Sequence, residues 1–83
     1  MNRRLGRFSI AEKMVEDAPH HVKAVMARCI VVRCEMRYET STLEYVAISD
    51  HFDIVQKGER IPLYVVTFDA VGDVEFLRKH EEQ

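Results

Sequence analysis

Residues 28–49 read RCIVVRCEMRYETSTLEYVAIS, and the fold turns on them. In the first half Ile30, Val32, Cys34, Met36 and Tyr38 fall on one side, and Val31, Arg33, Glu35, Arg37 and Glu39 on the other. This is the period-two alternation of a half-buried strand. The stretch TST makes a turn. The chain then returns as LEYVAIS, with Leu43, Tyr45 and Ala47 on one face and Glu44, Val46 and Ile48 on the other. Pairing Tyr38 with Leu43 sets Met36 against Tyr45, Cys34 against Ala47 and Arg37 against Glu44, a favourable cross-strand ion pair. A slip of one residue would set Tyr38 against Glu44 and mix the faces, so the alternation selects this hairpin over its one-residue neighbours.

Downstream, DHFDIVQKGERI (50–61) carries a turn signal at Lys57-Gly58, and PLYVVTFD (62–69) opens with a proline suited to the first position of a strand. Leu63, Val65 and Thr67 alternate with Tyr64, Val66 and Phe68, so both faces of this third strand are largely apolar. Cover on both sides, by a helix or a partner chain, is expected. Gly72-Asp73 is read as opening a short helix over 73–80. Val74 and Leu77 would face the core, and Arg78, Lys79 and His80 would sit at its negative end.

Upstream, SIAEKMVEDA (9–18) reads as a helix. Ser9 and Glu12 have capping-box spacing, Ile10, Ala11, Met14, Val15 and Ala18 form one stripe, and Pro19 ends the run. Residues 20–27 fit either a second helical segment with Pro19 at its first position or an extension of the strand. The expected fold class is α+β: an N-terminal helix packed on a three-stranded antiparallel meander, with a short C-terminal helix. The 83 residues suit a single small domain over 1–83, with a flexible basic arm at 1–8 and a frayed acidic tail at 80–83.

The net charge of −2 conceals a polarity: residues 1–37 sum to +4 and residues 38–83 to −6. No apolar run approaches the roughly 18 residues of a membrane span. No leader-like segment follows the basic start, and a cytoplasmic setting is expected. Cys29 and Cys34, five apart, point to opposite faces of a regular strand and cannot readily bridge. They read as free thiols of a reducing compartment.

Three clusters are candidate sites. Ser49, Asp50, His51 and Asp53 in SDHFD are the residue types of a metal-assisted hydrolase centred on 50–53. Asp50 and His51 are adjacent and diverge in an extended chain, however. No third group is placed to hold His51 toward Ser49, so no catalytic and no metal-ligating residue is assigned. The plainer expectation is that Asp50 turns the chain and Phe52 pins the loop to the core. Arg3, Arg4 and Arg7 on the basic arm are the candidate nucleic-acid contacts. A chain with a pI near 6.1 lacks the strong basic excess of typical nucleic-acid domains. The charged strand face, with Val31, Val46 and Ile48 among Arg33 and Arg37, has the composition of an interface. Together with His51 and Phe52 these are the candidate partner-binding residues. No glycine-rich phosphate loop, dinucleotide fingerprint or C-x-x-C pair is present, and no cofactor is expected.

The run LEYVAISDHFDIVQKGERIPLYVV (43–66) resembles conserved-hypothetical reading frames of bacteriophages and prophages. The resemblance rests on an aromatic before AIS, a Phe in the following loop, a lone Gly, and Pro-x-Tyr opening a strand. It implies a small accessory protein that acts by binding, of the type that inhibits a host machine such as a defence nuclease. The expected function is a non-enzymatic protein-interaction module, a cytoplasmic regulator or inhibitor and a homodimer. Nucleic-acid binding by the arm is the alternative, and the metal-assisted hydrolase the third reading.

Overall fold

The computed structural model describes residues 3–79. At its centre lies β1 (Arg3–Ala11). In RRLGRFSIA, Gly6, Phe8 and Ile10 alternate with Leu5, Arg7 and Ser9, and the first set is buried. β1 pairs antiparallel with β3 (Thr42–Ile48), antiparallel with the short β4 (Ile54–Val55) and parallel with β5 (Leu63–Phe68). With β2 (Ile30–Arg37) and β6 (Val74–Lys79) the strands form one mixed sheet of order β2-β3-β1-β5-β6, β4 lying off this path. Between β1 and β2 come two short helices, α1 (Glu12–Asp17) and α2 (Pro19–Met26).

The expected helix on a three-stranded meander is therefore overturned: the chain is mostly strand. The residues expected as a free basic arm are, from Arg3 on, the middle of the sheet. The helix expected from Ser9 starts at Glu12 instead, with Ala11 at the cap position and no side-chain capping bond. Its first amide, Glu12 N–H, donates to the Ser41 carbonyl at 2.9 Å, so the β2–β3 turn does the work assigned to Ser9. Ile10 is buried from β1 rather than from a helical stripe. Helix propensity lost because Ser9, Ile10 and Ala11 pair with Glu44, Leu43 and Thr42 of β3 and Ile10 is buried.

Of the two readings of residues 20–27, the helical one is seen. Pro19 stands at the start of α2, where its missing N–H costs nothing. Val25 is fully buried, and Val22 and Met26 pack beside it. The expected C-terminal helix is strand β6. The turn before it is held by Asp69, whose Oδ1 accepts from the backbone N–H of Val71 and of Asp73, and by Gly72 at φ 90°. Val74 and Phe76 then face Phe68 and Val66 across the β5–β6 ladder, a period of two where Val74 and Leu77 had suggested a helical three.

The β2–β3 hairpin forms, in a register two residues from the expected one. Met36 lies opposite Leu43, Cys34 opposite Tyr45 and Arg37 opposite Thr42. A two-residue shift leaves every side chain on its face, so alternation could not exclude it. The Arg37–Glu44 pair survives as a diagonal contact of 3.2 Å. A bulge at Val32 then changes the phase: Arg33 faces Val46, but Val31 faces Ala47 and Ile30 faces Ile48. Val31 is thus on the core side, and Ile30 takes its expected place. For the same reason both thiols fall on that side. Cys29 packs against the core and Cys34 lies opposite Tyr45, a correction to the expected opposite faces.

The core holds Phe8, Ile10, Val25, Ala47, Phe52 and Tyr64, between the sheet and the helices. Gly6 is its tightest point. A Cβ there would come within 2.8 Å of the Tyr64 ring and 2.9 Å of the Phe52 ring. Both rings are buried and pack on each other at 4.6 Å between centroids, so neither can retreat without opening the core. Gly6→Ala should cost about 1–3 kcal/mol through overpacking. In a chain of this size the thermal midpoint should drop by roughly 4 °C or more, which calorimetry would register.

Candidate functional site

The SDHFD segment is a structural joint. Ser49 ends β3 almost fully buried, and its Oγ donates to the Arg28 carbonyl at 2.6 Å and accepts from the His51 N–H at 3.2 Å. Its backbone N–H donates to the Arg4 carbonyl, and its carbonyl accepts from Phe52 N–H. The hydroxyl thus ties the turn between α2 and β2 to the turn after β3 and is not bonded to a histidine ring nitrogen. Phe52 is 1% exposed and packs edge-on to Phe76 at 4.9 Å and beside Tyr64. It pins the loop, as expected, and offers no surface to a partner. The Asp53 N–H donates to the Tyr64 hydroxyl at 2.8 Å, and the Asp53 carboxylate accepts from the Arg78 guanidinium at 2.6 Å, a hydrogen bond that raises the Arg78 pKa. His51 is exposed on the turn, with its ring 5.7 Å from that of Phe76. His20 and His21 lie against each other, and His21 stacks on Phe68 at 4.3 Å. Among the described residues no three His, Cys, Asp or Glu side chains converge as metal ligands.

The three arginines of the expected arm sit on β1. Arg4 donates to the Phe52 carbonyl at 3.1 Å, and Arg7 Nε donates to the Ile61 carbonyl at 2.8 Å. Arg3 pairs through its backbone with Val55. Arg4 thereby fastens the loop after β3, and Arg7 the loop before β5, to the first strand.

The larger surface feature is the face of the sheet opposite the helices. Strand register places Leu5, Arg7 and Ser9 of β1, Glu44, Val46 and Ile48 of β3, and Arg33, Glu35 and Arg37 of β2 on it. From β5 and β6 come Leu63, Val65 and Thr67 with Glu75, Leu77 and Lys79. Both helices lie on the other side, so among the described residues nothing covers this face. Val65 and Leu77, directly opposite each other, are 46% and 53% exposed. Beside them runs a shallow groove of about 290 Å³ lined by Arg7, Arg33, Glu35, Arg37, Val46 and Leu63, among others. Within it Arg37 meets Glu44, and Arg33 meets Glu35 at 3.7 Å. Glu35 lies directly opposite Glu44, and the two arginines on the diagonals offset that repulsion.

Of the expected partner-binding residues, Arg33, Arg37, Val46 and Ile48 are thus brought together on one face. Val31 and Phe52 point elsewhere, and His51 sits on the loop after β3. Sequence reasoning missed Leu63, Val65 and Leu77 and assigned Arg7 to nucleic-acid contact instead. The doubly apolar pattern of β5 was the available signal for Val65, but placing Arg7 beside Leu63 required knowing that β1 and β5 run parallel.

Among the described residues no helix is long and apolar enough to cross a membrane. No protein-family model, curated protein or solved structure matches the chain.

Ser49→Ala should destabilise the fold by about 1–3 kcal/mol, because the Arg28 carbonyl and His51 amide lose their partner. His51→Ala, at an exposed turn, should stay within about 0.5 kcal/mol of wild type. Paired urea melts of the two variants measure both.

Proposed function

We propose that the chain is a non-enzymatic protein-interaction module, a small regulator or inhibitor that docks a partner protein on the open face of its sheet. The observation that carries this is the Val65–Leu77 pair, about half exposed on an uncovered face and bordered by the Arg7–Arg33–Arg37 groove. An apolar centre with arginines and a charged rim is the composition of a protein interface. A helix or strand bearing both signs of charge would meet Glu35 and Glu44 as well as the arginines. The resemblance over 43–66 supplies a setting for the same reading: a cytoplasmic, phage-type accessory protein that inhibits a host machine.

The two other readings lose the features that motivated them. The nucleic-acid reading needed Arg3, Arg4 and Arg7 on a free arm. They lie instead in a paired strand, two of them bonded to loop carbonyls. The hydrolase reading needed Asp50, His51 and Asp53 to converge on a metal, and among the described residues no three such side chains do. The Asp53 carboxylate pairs with Arg78 instead, and the Ser49 hydroxyl with the Arg28 carbonyl and the His51 amide.

Val65→Glu and Arg37→Glu should each leave the melting temperature within a few degrees of wild type and weaken the partner complex at least about tenfold. Quantitative capture from native lysate compares the three proteins for a partner retained by wild type and lost from both variants. Equal retention by all three would refute docking at this face. Oligonucleotide retention at low salt that disappears when Arg3, Arg4 and Arg7 become Ala would put the nucleic-acid reading in its place.

A further inference from the structure

Among the described residues strand β2 is an edge of the sheet, paired on one side only, with β3. Every residue in it except Met36 is exposed, including Ile30 at 68% and Val32 at 53%. Edge strands of this kind are usually blunted by lysine, proline or a covering element, because their free N–H and C=O groups template a further strand. β2 contains neither lysine nor proline. Its protective devices are the charges of Arg33, Glu35 and Arg37 and the bulge at Val32, which lies near the N-terminal end and leaves Arg33 to Arg37 in regular register. The strand's charges then decide what fits beside it.

We propose that β2 pairs antiparallel with β2 of a second copy of this chain, about a two-fold axis at Cys34, joining the two sheets edge to edge. A two-fold axis perpendicular to the sheet keeps faces matched, so only registers that set open-face residues against open-face residues are allowed. Centring on Arg33 or on Glu35 stacks like charges at the axis, and the latter also sets Arg33 against the other copy's Arg37. Centring on Met36 leaves only the last three strand residues paired, because β2 ends at Arg37. Centring on Cys34 sets Arg33 opposite the other copy's Glu35 and Glu35 opposite its Arg33. It also lays Met36 against the bulged Val32 and keeps residues 32–36 within the overlap, Val31 beyond them being turned to the core side. The complementarity is thus internal to one short strand: a basic and an acidic residue flank a small side chain at the axis.

Pairing at the β2 edge is a separate event from docking on the open face and would double the five-strand path of each sheet. β6 is the competing edge. It presents less apolar side-chain surface than β2, ends in Arg78 and Lys79, and has Arg78 already committed to Asp53.

Cys34 makes the pairing directly readable. Opposed residues of an antiparallel pair have Cα atoms about 4.5–5.5 Å apart, inside the usual disulfide range of about 4.4–6.8 Å. Oxidation of the full chain by diamide would take two thiols to one disulfide and reduce the diamide to its hydrazine. The expected results are a dimer in sedimentation across a concentration series and a disulfide-linked dimer on a non-reducing gel that Cys34→Ser abolishes and Cys29→Ser does not. Glu35→Arg should raise the dimer dissociation constant about tenfold, by setting arginine against arginine at two symmetric positions. The fold should tolerate it, since position 35 faces Glu44. The double variant Arg33→Glu, Glu35→Arg should restore the wild-type constant. A monomer at every concentration overturns the proposal, and so does a dimer unchanged by Glu35→Arg. A dimer that cross-links through Leu77→Cys and not through Cys34 also overturns it, by assigning the contact to β6. In each case the partner-capture comparison on the open face stands or falls by itself.

Discussion

Two aromatic rings rest on a glycine, and the rest of the molecule is arranged around that contact. At Gly6 the central strand has no side chain, so Phe52 and Tyr64 approach its backbone more closely than any Cβ would allow. Phe52 comes from the loop after β3, and Tyr64 from β5. Their meeting over Gly6 fixes where that loop lies and holds β5 alongside β1. Phe76 of β6 adds its edge to Phe52, and Phe8, one pleat along β1, stacks on Tyr45 of β3. One residue without a side chain thereby organises an aromatic cluster drawn from β1, β3, β5, β6 and the loop after β3.

Local signals in the sequence were legible where they concerned neighbours in the chain. The β2–β3 hairpin, the Pro19 boundary, the Lys57-Gly58 turn and the anchoring role of Phe52 could all be read from adjacent residues. What failed depended on distant ones. Ser9 and Glu12 have the spacing of a capping box, but Ser9 belongs to a strand whose partners all lie far downstream. The hairpin register was off by two because side-chain alternation carries no information about even shifts. The bulge at Val32 left no mark in the alternation at all, and it moved Val31 off the face where Val46 and Ile48 were rightly placed. The C-terminal segment was misread because Val74 and Leu77 suggested a helix, while the pull of Phe76 toward Phe8 and Phe52 was invisible without the fold.

The candidate surface shows the same division. Arg33, Arg37, Val46 and Ile48 could be grouped from a single hairpin. Arg7, Leu63, Val65 and Leu77 join them only because β1 separates β3 from β5, an order that follows from long-range pairing. The SDHFD segment changed meaning for the opposite reason. Its residue types suggested chemistry, but the Ser49 hydroxyl is engaged by the Arg28 carbonyl and the His51 amide, and the Asp53 carboxylate by Arg78 of β6.

The central position of β1 also governs how the fold is reached. This strand precedes every one of its neighbours in the chain, and its ladders to β3 and β5 close only after those strands exist. Such non-local, partly parallel pairing is slow to assemble, and it leaves a strand-forming segment waiting without partners. Leu5, Phe8 and Ile10 would make that waiting segment adhesive. Arg3, Arg4 and Arg7, interspersed among them, act as charged gatekeepers of the unfolded chain. Once the sheet closes, Arg4 and Arg7 turn to the loop carbonyls of Phe52 and Ile61. The same arginines thus guard the strand before it folds and clamp its loops afterwards.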